Sequence, residues 1–394
     1  MQSSNDKPVS VYFVYALSTC NGIAVNGAQV LLSLYALKLG AGPLGVGLLA
    51  GTFSIFPMLL AVTAGRLVDR FGARWPMTLG IASGAIGMLV PYLFHGFPAL
   101  YVAGTMTGIT MIFFSLATQN LVGQISTPDT RARNFSNYML TTSAANLLGP
   151  LLAGFSIDHS SHARTCLYAS LLMLVPITML LTRGSSLPGG TRRTEKGGGG
   201  IRQMLADPAV RRTLITGSLI NTGVNLYQWY MPVYGHSIDL SASSIGMLLA
   251  MNSAAAFVVR FLLPRLIATF GESVLLANAF FVGATSLALI PVFHNVIALG
   301  LISFVFGFGM GAGQPIVIML MYTNSRDGRS GESLGLKFMT NQLTKLVSPI
   351  VFGAIASGLG LVAMFWINAL VLTAGGALSR SRTKRPVSAP EPVE

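Results

Sequence analysis

Twelve long apolar runs, separated by short polar connectors, dominate this chain of 394 residues. Each run has about 20 residues, the length at which an α-helix crosses about 30 Å of hydrocarbon. Lipid offers the backbone no hydrogen-bond partners, so runs this long and this uniform indicate helices. The sequence therefore predicts an all-α integral membrane protein with 12 transmembrane helices. The runs begin near Ser10, Leu44, Pro76, Ala99, Ser136, Thr165, Thr213, Ser244, Val274, Val296, Leu334 and Leu361.

Charged residues are scarce, and their distribution predicts how the chain is oriented. Only 9% of the residues are charged and 52% are hydrophobic, whereas a soluble domain carries about 25% charged residues. A net charge of +13 would suit a nucleic-acid-binding protein, but 21 of the 25 Lys and Arg residues lie on one side of the predicted topology. The positive-inside rule then places both termini in the cytoplasm. We expect membrane lipid around the chain and no nucleic acid as a partner.

A single offset of 199 residues relates landmarks in the two halves of the chain. One unbroken offset predicts two pseudo-symmetric six-helix bundles, joined by a Gly-rich basic linker. The related pairs include Asn26 and Asn225, Gln29 and Gln228, Tyr35 and Tyr234, Gly47 and Gly246, Gly108 and Gly307, Pro150 and Pro349, and Gly154 and Gly353. The predicted divisions are an N-terminal bundle (1–182), a cytoplasmic linker (183–212), a C-terminal bundle (213–380) and a disordered cytoplasmic tail (381–394).

The connector between the second and third spans carries a compact charged motif. Its skeleton consists of Gly65, Leu67, Asp69, Arg70, Gly72 and Arg74, and the later half repeats it in part as Arg265, Leu266, Phe270 and Gly271. This pattern resembles the loop motif of the major facilitator superfamily (MFS) of transporters. The resemblance implies the MFS fold and a gate latch, with Asp69 near the start of the eleventh helix around residues 333–335, where the helix N-terminus favours a carboxylate. The candidate gating residues are Gly65, Asp69, Arg70, Gly72, Arg74, Arg265 and Gly271.

The resemblance has limits that bear on coupling. Arg70 and Arg74 are expected to join an ionic network with Asp129, Asp327 or Glu332. Ala73, however, replaces one of the motif's paired basic residues, and Gly104 stands where the family's proton-handling motif of the fourth span would place an Arg. Gly149, Pro150 and Gly154 are similar to the family's antiporter motif, which is incomplete here. These departures weigh against proton-coupled drug export.

Lys345 is an unusual residue for its predicted depth. It lies about eleven residues into the eleventh span, where a cation costs at least about 2.5 kcal/mol, and no acidic residue falls within any predicted span. One interpretation is that Lys345 binds an anion, together with Asn341 and Gln342 one turn away. The other is a structural lysine that contacts helix carbonyls or snorkels. The duplication places Asn146 opposite it in the first half.

Two matched pairs of amides mark the first and seventh spans. Asn26 and Gln29, like Asn225 and Gln228, are spaced i and i+3, so each pair shares one helix face. They are predicted to line a central cavity at the repeat interface, where carriers of this architecture bind their substrates. The alternative is hydrogen bonding between helices. The candidate substrate-binding residues are Asn26, Gln29, Asn146, Asn225, Gln228, Asn341, Gln342 and Lys345. Further contacts are expected from Asn221, Tyr227, Trp229, Tyr230 and Asn252, although aromatic residues at span ends more often serve as interfacial anchors.

These features together predict a secondary active transporter that moves a small organic anion by alternating access. The first alternative is a proton-coupled efflux antiporter for drugs or sugars, and a second, of another class, is a membrane receptor or lipid scramblase. No nucleophile and base, metal site or cofactor motif lies within the spans, so we expect neither enzymatic activity nor a cofactor. The expected partners are a small-molecule substrate and membrane lipid, and the protein is expected to work as a monomer in a bacterial inner membrane.

Overall fold

The computed structural model describes residues 10–184, 187, 207–323 and 330–380. All regular structure in these ranges is helical, which confirms the predicted all-α class. A 3-10 turn, Ile290–Val292, follows the ninth helix. The long helices are α1 (Val11–Lys38), α2 (Pro43–Phe71), α3 (Arg74–Leu93), α4 (Phe97–Ile125), α5 (Pro128–His159), α6 (His162–Arg183), α7 (Pro208–Ser237), α8 (Ala242–Phe270), α9 (Glu272–Leu289), α10 (Val296–Thr323), α11 (Ser330–Leu359) and α12 (Leu361–Arg380).

Eleven of these helices are long and apolar enough to cross a membrane, and α7 is the exception. Its 30 residues suffice in length, but two arginines and several amides lower its mean hydropathy. Among the residues that the structure describes, α7 is largely buried, so protein rather than lipid surrounds much of it. The predicted count of 12 spans therefore stays a prediction, while the integral membrane character is confirmed.

Local sequence explains the helix ends, and two of these ends are related by the offset of 199 residues. The Ser10 side chain accepts a hydrogen bond from the Tyr12 amide at the start of α1, which satisfies one of the free donors of a helix N-terminus. Gly72 and Gly271 end α2 and α8 with φ angles of 75° and 76°. Glycine suits these positions because it has no Cβ to clash in the left-handed region.

Contacts between helices divide the described chain into two groups. In the first group, α1 packs against α5 and α6, and α3 packs against α4 and α6; in the second, α8 packs against α10, and α9 against α10 and α12. The groups meet where α2 contacts α11 and where α5 contacts α8. The second group begins at Pro208, inside the predicted linker. Residues 188–206 of that linker and the whole predicted tail lie outside the described ranges.

The two groups touch closely near one end of the molecule. We call the end that holds the start of α1 and the end of α12 the terminal end, and the other the distal end. Towards the distal end, the backbone at Gly47 of α2 lies against the Pro349 carbonyl of α11, and Gly246 of α8 lies against the Pro150 carbonyl of α5. A Cβ on either glycine would overlap the facing oxygen. We call these two contact lines the distal seam.

Candidate substrate cavity

A cavity of about 320 Å³ lies between the two groups of helices. Helix α11 runs from the terminal end to the distal end, and Lys345 of the cavity precedes Pro349 of the seam. Helix α2 runs the opposite way, and Pro57 of the cavity follows Gly47 of the seam. The cavity therefore lies on the terminal side of the distal seam. Helices α2, α4, α7, α10 and α11 contribute to its wall. The lining residues are Pro57, Met111, Ile112, Ser115, Asn221, Val224, Asn225, Gln228, Gln314, Phe338, Asn341, Gln342 and Lys345.

Helical periodicity explains why α11 presents its polar residues together. Phe338, Asn341, Gln342 and Lys345 are spaced at i, i+3, i+4 and i+7, and all four line the cavity. Residues at this spacing occupy one face of an α-helix. On α7, Asn221, Asn225 and Gln228 follow the same rule. The cavity therefore receives one polar face from each of two adjacent helices.

The amides of α7 also bind neighbouring helices. Asn221 Nδ2 donates to the Asn341 carbonyl at 3.3 Å, and Asn225 Nδ2 lies 3.4 Å from both the Lys345 carbonyl and Ser348 Oγ. Gln314 Nε2 donates to Asn221 Oδ1 at 3.3 Å. The two interpretations of Asn225 from sequence are thus compatible, because its side chain joins α7 to α11 and also lines the cavity.

Lys345 supplies the charge of this cavity. Of the lining residues in the part of the chain that the structure describes, it alone is charged, and none carries a carboxylate. The side chain is half-buried. Because an unpaired ammonium at this depth is costly, amide oxygens, water or an anion must offset that cost. Asn341 and Gln342 lie one turn before it on the same face of α11, and both line the cavity with it.

A second cavity holds the remaining predicted residues. It measures about 20 Å³, which is room for about one water molecule. Asn26, Gln29 and Asn146 line it, together with Gln228, which also lines the larger cavity. In this conformation the structure therefore separates the first-half amides from Lys345. Asn26 Nδ2 donates to the Gly22 carbonyl of its own helix at 2.8 Å.

Ser115 and Gln314 line the larger cavity, but sequence reasoning did not select them. They are themselves related by the offset of 199 residues, which is the signal that could have found them. Phe338 was missed as well, because an aromatic residue on a membrane helix carries no polar signal.

The described gating candidates lie at helix ends and have local contacts. Arg74 Nε donates to the Leu180 carbonyl at 3.2 Å and Nη2 to the Leu181 carbonyl at 3.0 Å, at the C-terminal end of α6, where a cation is favoured. The Arg70 guanidinium lies 5.1 Å from the centre of the Phe71 ring.

The structure gives less information on the other gating candidates. Arg265 is exposed, and a Cβ on Gly65 would meet no atom within 4 Å. The side chain of Asp69 lies outside what the structure describes. The same holds for its expected neighbours Asp129, Asp327 and Glu332, so the latch and the ionic network stay predictions.

Packing explains the missing arginine of the fourth helix. A Cβ on Gly104 would overlap Thr52 Oγ1 and lie 3.1 Å from the Phe53 ring. Because α2 packs directly against α4 at this point, a guanidinium side chain has no space there.

Comparisons with known proteins agree with this architecture. The family model described as "Major Facilitator Superfamily" matches residues 14–344. The chain is 22% identical over 252 residues to the staphylopine export protein of Staphylococcus aureus (strain Mu50 / ATCC 700699), a match that covers 62% of each chain. It is 20% identical over 331 residues to the quinolone resistance protein NorA of S. aureus (strain COL), covering 82% of this chain and 84% of that protein. The fold resembles the crystal structure of a POT family transporter in complex with 5-aminolevulinic acid, with a TM-score of 0.81 at 12% identity, over 96% of each chain.

Proposed function

The chain belongs to the major facilitator superfamily, and on this basis we propose that it is a secondary active transporter for a small organic anion, with Lys345 as the anion-binding group. The family match supports a membrane transporter rather than an enzyme. The observation that supports an anionic substrate is the positive charge of the cavity wall. Lys345 lines the cavity, whereas none of the described lining residues can neutralise it. A bound anion would offset the cost of that buried charge.

The amides narrow the class of anion. Gln228, Asn341 and Gln342 each have a donor group and an acceptor oxygen, which suits a solute with hydroxyl groups as well as a carboxylate. A volume of about 320 Å³ is at the small end of ligand sites, which span about 300–1,000 Å³. The proposed substrate is therefore a small hydroxylated carboxylate, held by its charge at Lys345 and by its hydroxyls at the amides.

The position of the cavity supports an alternating-access cycle. The distal seam closes one side of it, and the cavity lies on the terminal side. With the terminal end in the cytoplasm, as the positive-inside rule indicates, this conformation corresponds to a cavity closed to the outside. The proposed cycle rocks the bundles 1–182 and 213–380 about the cavity in a single chain in the bacterial inner membrane. Asp69 and the basic residues of its motif would latch the cytoplasmic side in the opposite state.

A second candidate function is export of neutral or cationic drugs. It is favoured by the name of a relative, the quinolone resistance protein, and by the apolar lining residues Met111, Ile112 and Phe338. One observation argues against proton coupling of such an exporter. Gly104 stands where the resemblance would assign a proton-handling arginine, and it packs against Thr52 and Phe53.

Ligand-dependent thermal unfolding of the purified protein distinguishes these candidates. We expect gluconate to raise the unfolding temperature, whereas sorbitol, which has hydroxyls but no charge, has little effect. At a concentration about 100 times its Kd, a ligand stabilises by about 2.7 kcal/mol. Lys345→Gln should abolish the effect of gluconate.

The matched control is Lys337→Gln. Lys337 lies on the same helix and is buried, but it does not line the cavity, so this variant should keep the effect of gluconate. Equal stabilisation of the Lys345→Gln variant would show that the anion binds elsewhere. Stabilisation by tetraphenylphosphonium instead of gluconate would favour the drug exporter. Counterflow of radiolabelled gluconate in proteoliposomes would exclude a receptor or scramblase.

A further inference from the structure

A carboxylate from one group of helices binds the start of a helix in the other. Asp158 lies in the last turn of α5, and its Oδ1 accepts a hydrogen bond from the Ala242 amide at 3.1 Å. Its Oδ2 accepts one from the Ser243 amide at 2.7 Å. These amides open α8, where backbone donors have no partner within the helix and the helix carries a partial positive charge. Asp158 therefore fastens the α5–α8 side of the distal seam.

The offset of 199 residues relates this contact to a weaker one on the other side. Ser357 corresponds to Asp158, and Leu44 corresponds to Ser243. Ser357 Oγ accepts a hydrogen bond from the Leu44 amide at 3.1 Å. The same arrangement thus occurs on the α2–α11 side, with a neutral hydroxyl in place of the carboxylate.

The number of backbone amides at each helix start matches the number of acceptor oxygens that face them, and on the α8 side the hydroxyls of Ser241 and Ser243 also interact with the carboxylate. Pro43 corresponds to Ala242, and proline has no amide hydrogen. The start of α2 therefore offers one amide, which faces the single hydroxyl oxygen of Ser357. The start of α8 offers two amides, which face the two carboxylate oxygens of Asp158. On the α2–α11 side the Tyr230 hydroxyl adds a long contact across the seam, 3.3 Å from the Pro43 carbonyl, but it lies only 2.6 Å from the Pro349 carbonyl of its own group.

We propose that Asp158 is a positioning residue for transport, the principal polar latch that holds the distal end closed. A hydrogen bond to a charged group is about twice as strong as a neutral one. The α5–α8 side therefore holds more tightly than its repeat partner. Asp158 lines neither cavity, so its role is in the conformational equilibrium and is separate from solute binding.

The test measures how often the distal end is open in the absence of solute. Arg164 and Ser237 are exposed and lie in opposite groups of helices. Nitroxide labels on Arg164→Cys and Ser237→Cys report the distance across the distal end by double electron–electron resonance spectroscopy. Cys20 and Cys166 are first replaced by alanine. Asp158→Ala should lower the ratio of closed to open molecules at least about tenfold, the effect of losing one hydrogen bond to a charged group. The matched control Ser357→Ala should lower it about threefold, the effect of losing one neutral hydrogen bond.

A second variant tests the latch from the other helix. Ala242→Pro removes one of the two amide donors to Asp158 and copies the repeat partner Pro43. Proline suits this position because it is the first of the helix and because the preceding residue, Ser241, is already extended. It should lower the ratio by less than Asp158→Ala does. Because it leaves the carboxylate in place, it decides the question even if Asp158→Ala does not fold.

An unchanged distance distribution in either Asp158→Ala or Ala242→Pro would overturn the proposal. An effect of Ser357→Ala as large as that of Asp158→Ala would overturn it as well. Since no solute is present, failure of the gluconate experiment would leave this test intact.

Discussion

Gly246→Ala tests whether the glycine contacts of the distal seam control access to the cavity. The new Cβ would lie 2.5 Å from the Pro150 oxygen and 3.2 Å from its carbonyl carbon, whereas relaxed contacts need about 3.5 Å. The helices α5 and α8 must therefore separate by about 1 Å. Alanine is also the better helix former, but this gain applies to open and closed conformations alike. Overpacking of this kind costs about 1–3 kcal/mol, which predicts about a 5- to 140-fold fall in the ratio of closed to open molecules.

The assay is alkylation of Ser253→Cys by a membrane-impermeant maleimide added at the distal face, with Cys20 and Cys166 replaced. Residue 253 lines the small cavity behind the distal seam, so the reagent reaches it only when the seam opens. The alkylation rate should rise in proportion to the open fraction. Gly123→Ala, where a Cβ would meet nothing within 4 Å, should leave the rate unchanged. The reasoning fails if Gly246→Ala reacts at the parent rate or if Gly123→Ala accelerates the reaction equally.

Two further predictions concern stability. Arg74→Ala removes both hydrogen bonds to the end of α6, so thermal unfolding should show that the free energy of unfolding falls by about 1–3 kcal/mol. Arg74→Lys should recover only part of this loss, because lysine keeps the charge but cannot reproduce the fork geometry. Full recovery would show that the charge alone matters. Asn368 is fully buried, and neither polar atom of its side chain has a hydrogen-bond partner among the described residues. Asn368→Leu should therefore stabilise the protein by about 1–3 kcal/mol, and a fall in the unfolding temperature would refute that interpretation.

The helices could be predicted from the sequence because the thickness of the bilayer sets their length and apolar character. The spacing of Asn341, Gln342 and Lys345 likewise places them on one helix face without knowledge of the fold. Which cavity a residue lines is different, since it depends on how the two groups of helices sit against each other. Asn26 and Asn225 occupy equivalent positions in the repeat, yet they line different cavities.

The offset of 199 residues also relates functional positions that their residue types do not reveal. It relates Ser115 to Gln314, which both line the larger cavity. It also relates Asp158 to Ser357, each of which accepts a hydrogen bond from the start of a helix in the other group. Asp158 could not be selected from sequence because its partners are backbone amides of a distant helix, which no side-chain pattern reveals. Only the meeting of α5 with α8 gives that carboxylate its role.

The polarity of α7 bears on how the chain is assembled during synthesis. Its amides and arginines make this helix a poor candidate for partitioning into lipid by itself, and its length does not compensate. Asn221 and Asn225 gain hydrogen-bond partners from α11, a helix that the ribosome produces about 100 residues later. If α7 is the seventh span, as the sequence predicts, we expect it to insert stably only once α11 has emerged, so that the second half assembles cooperatively rather than one helix at a time.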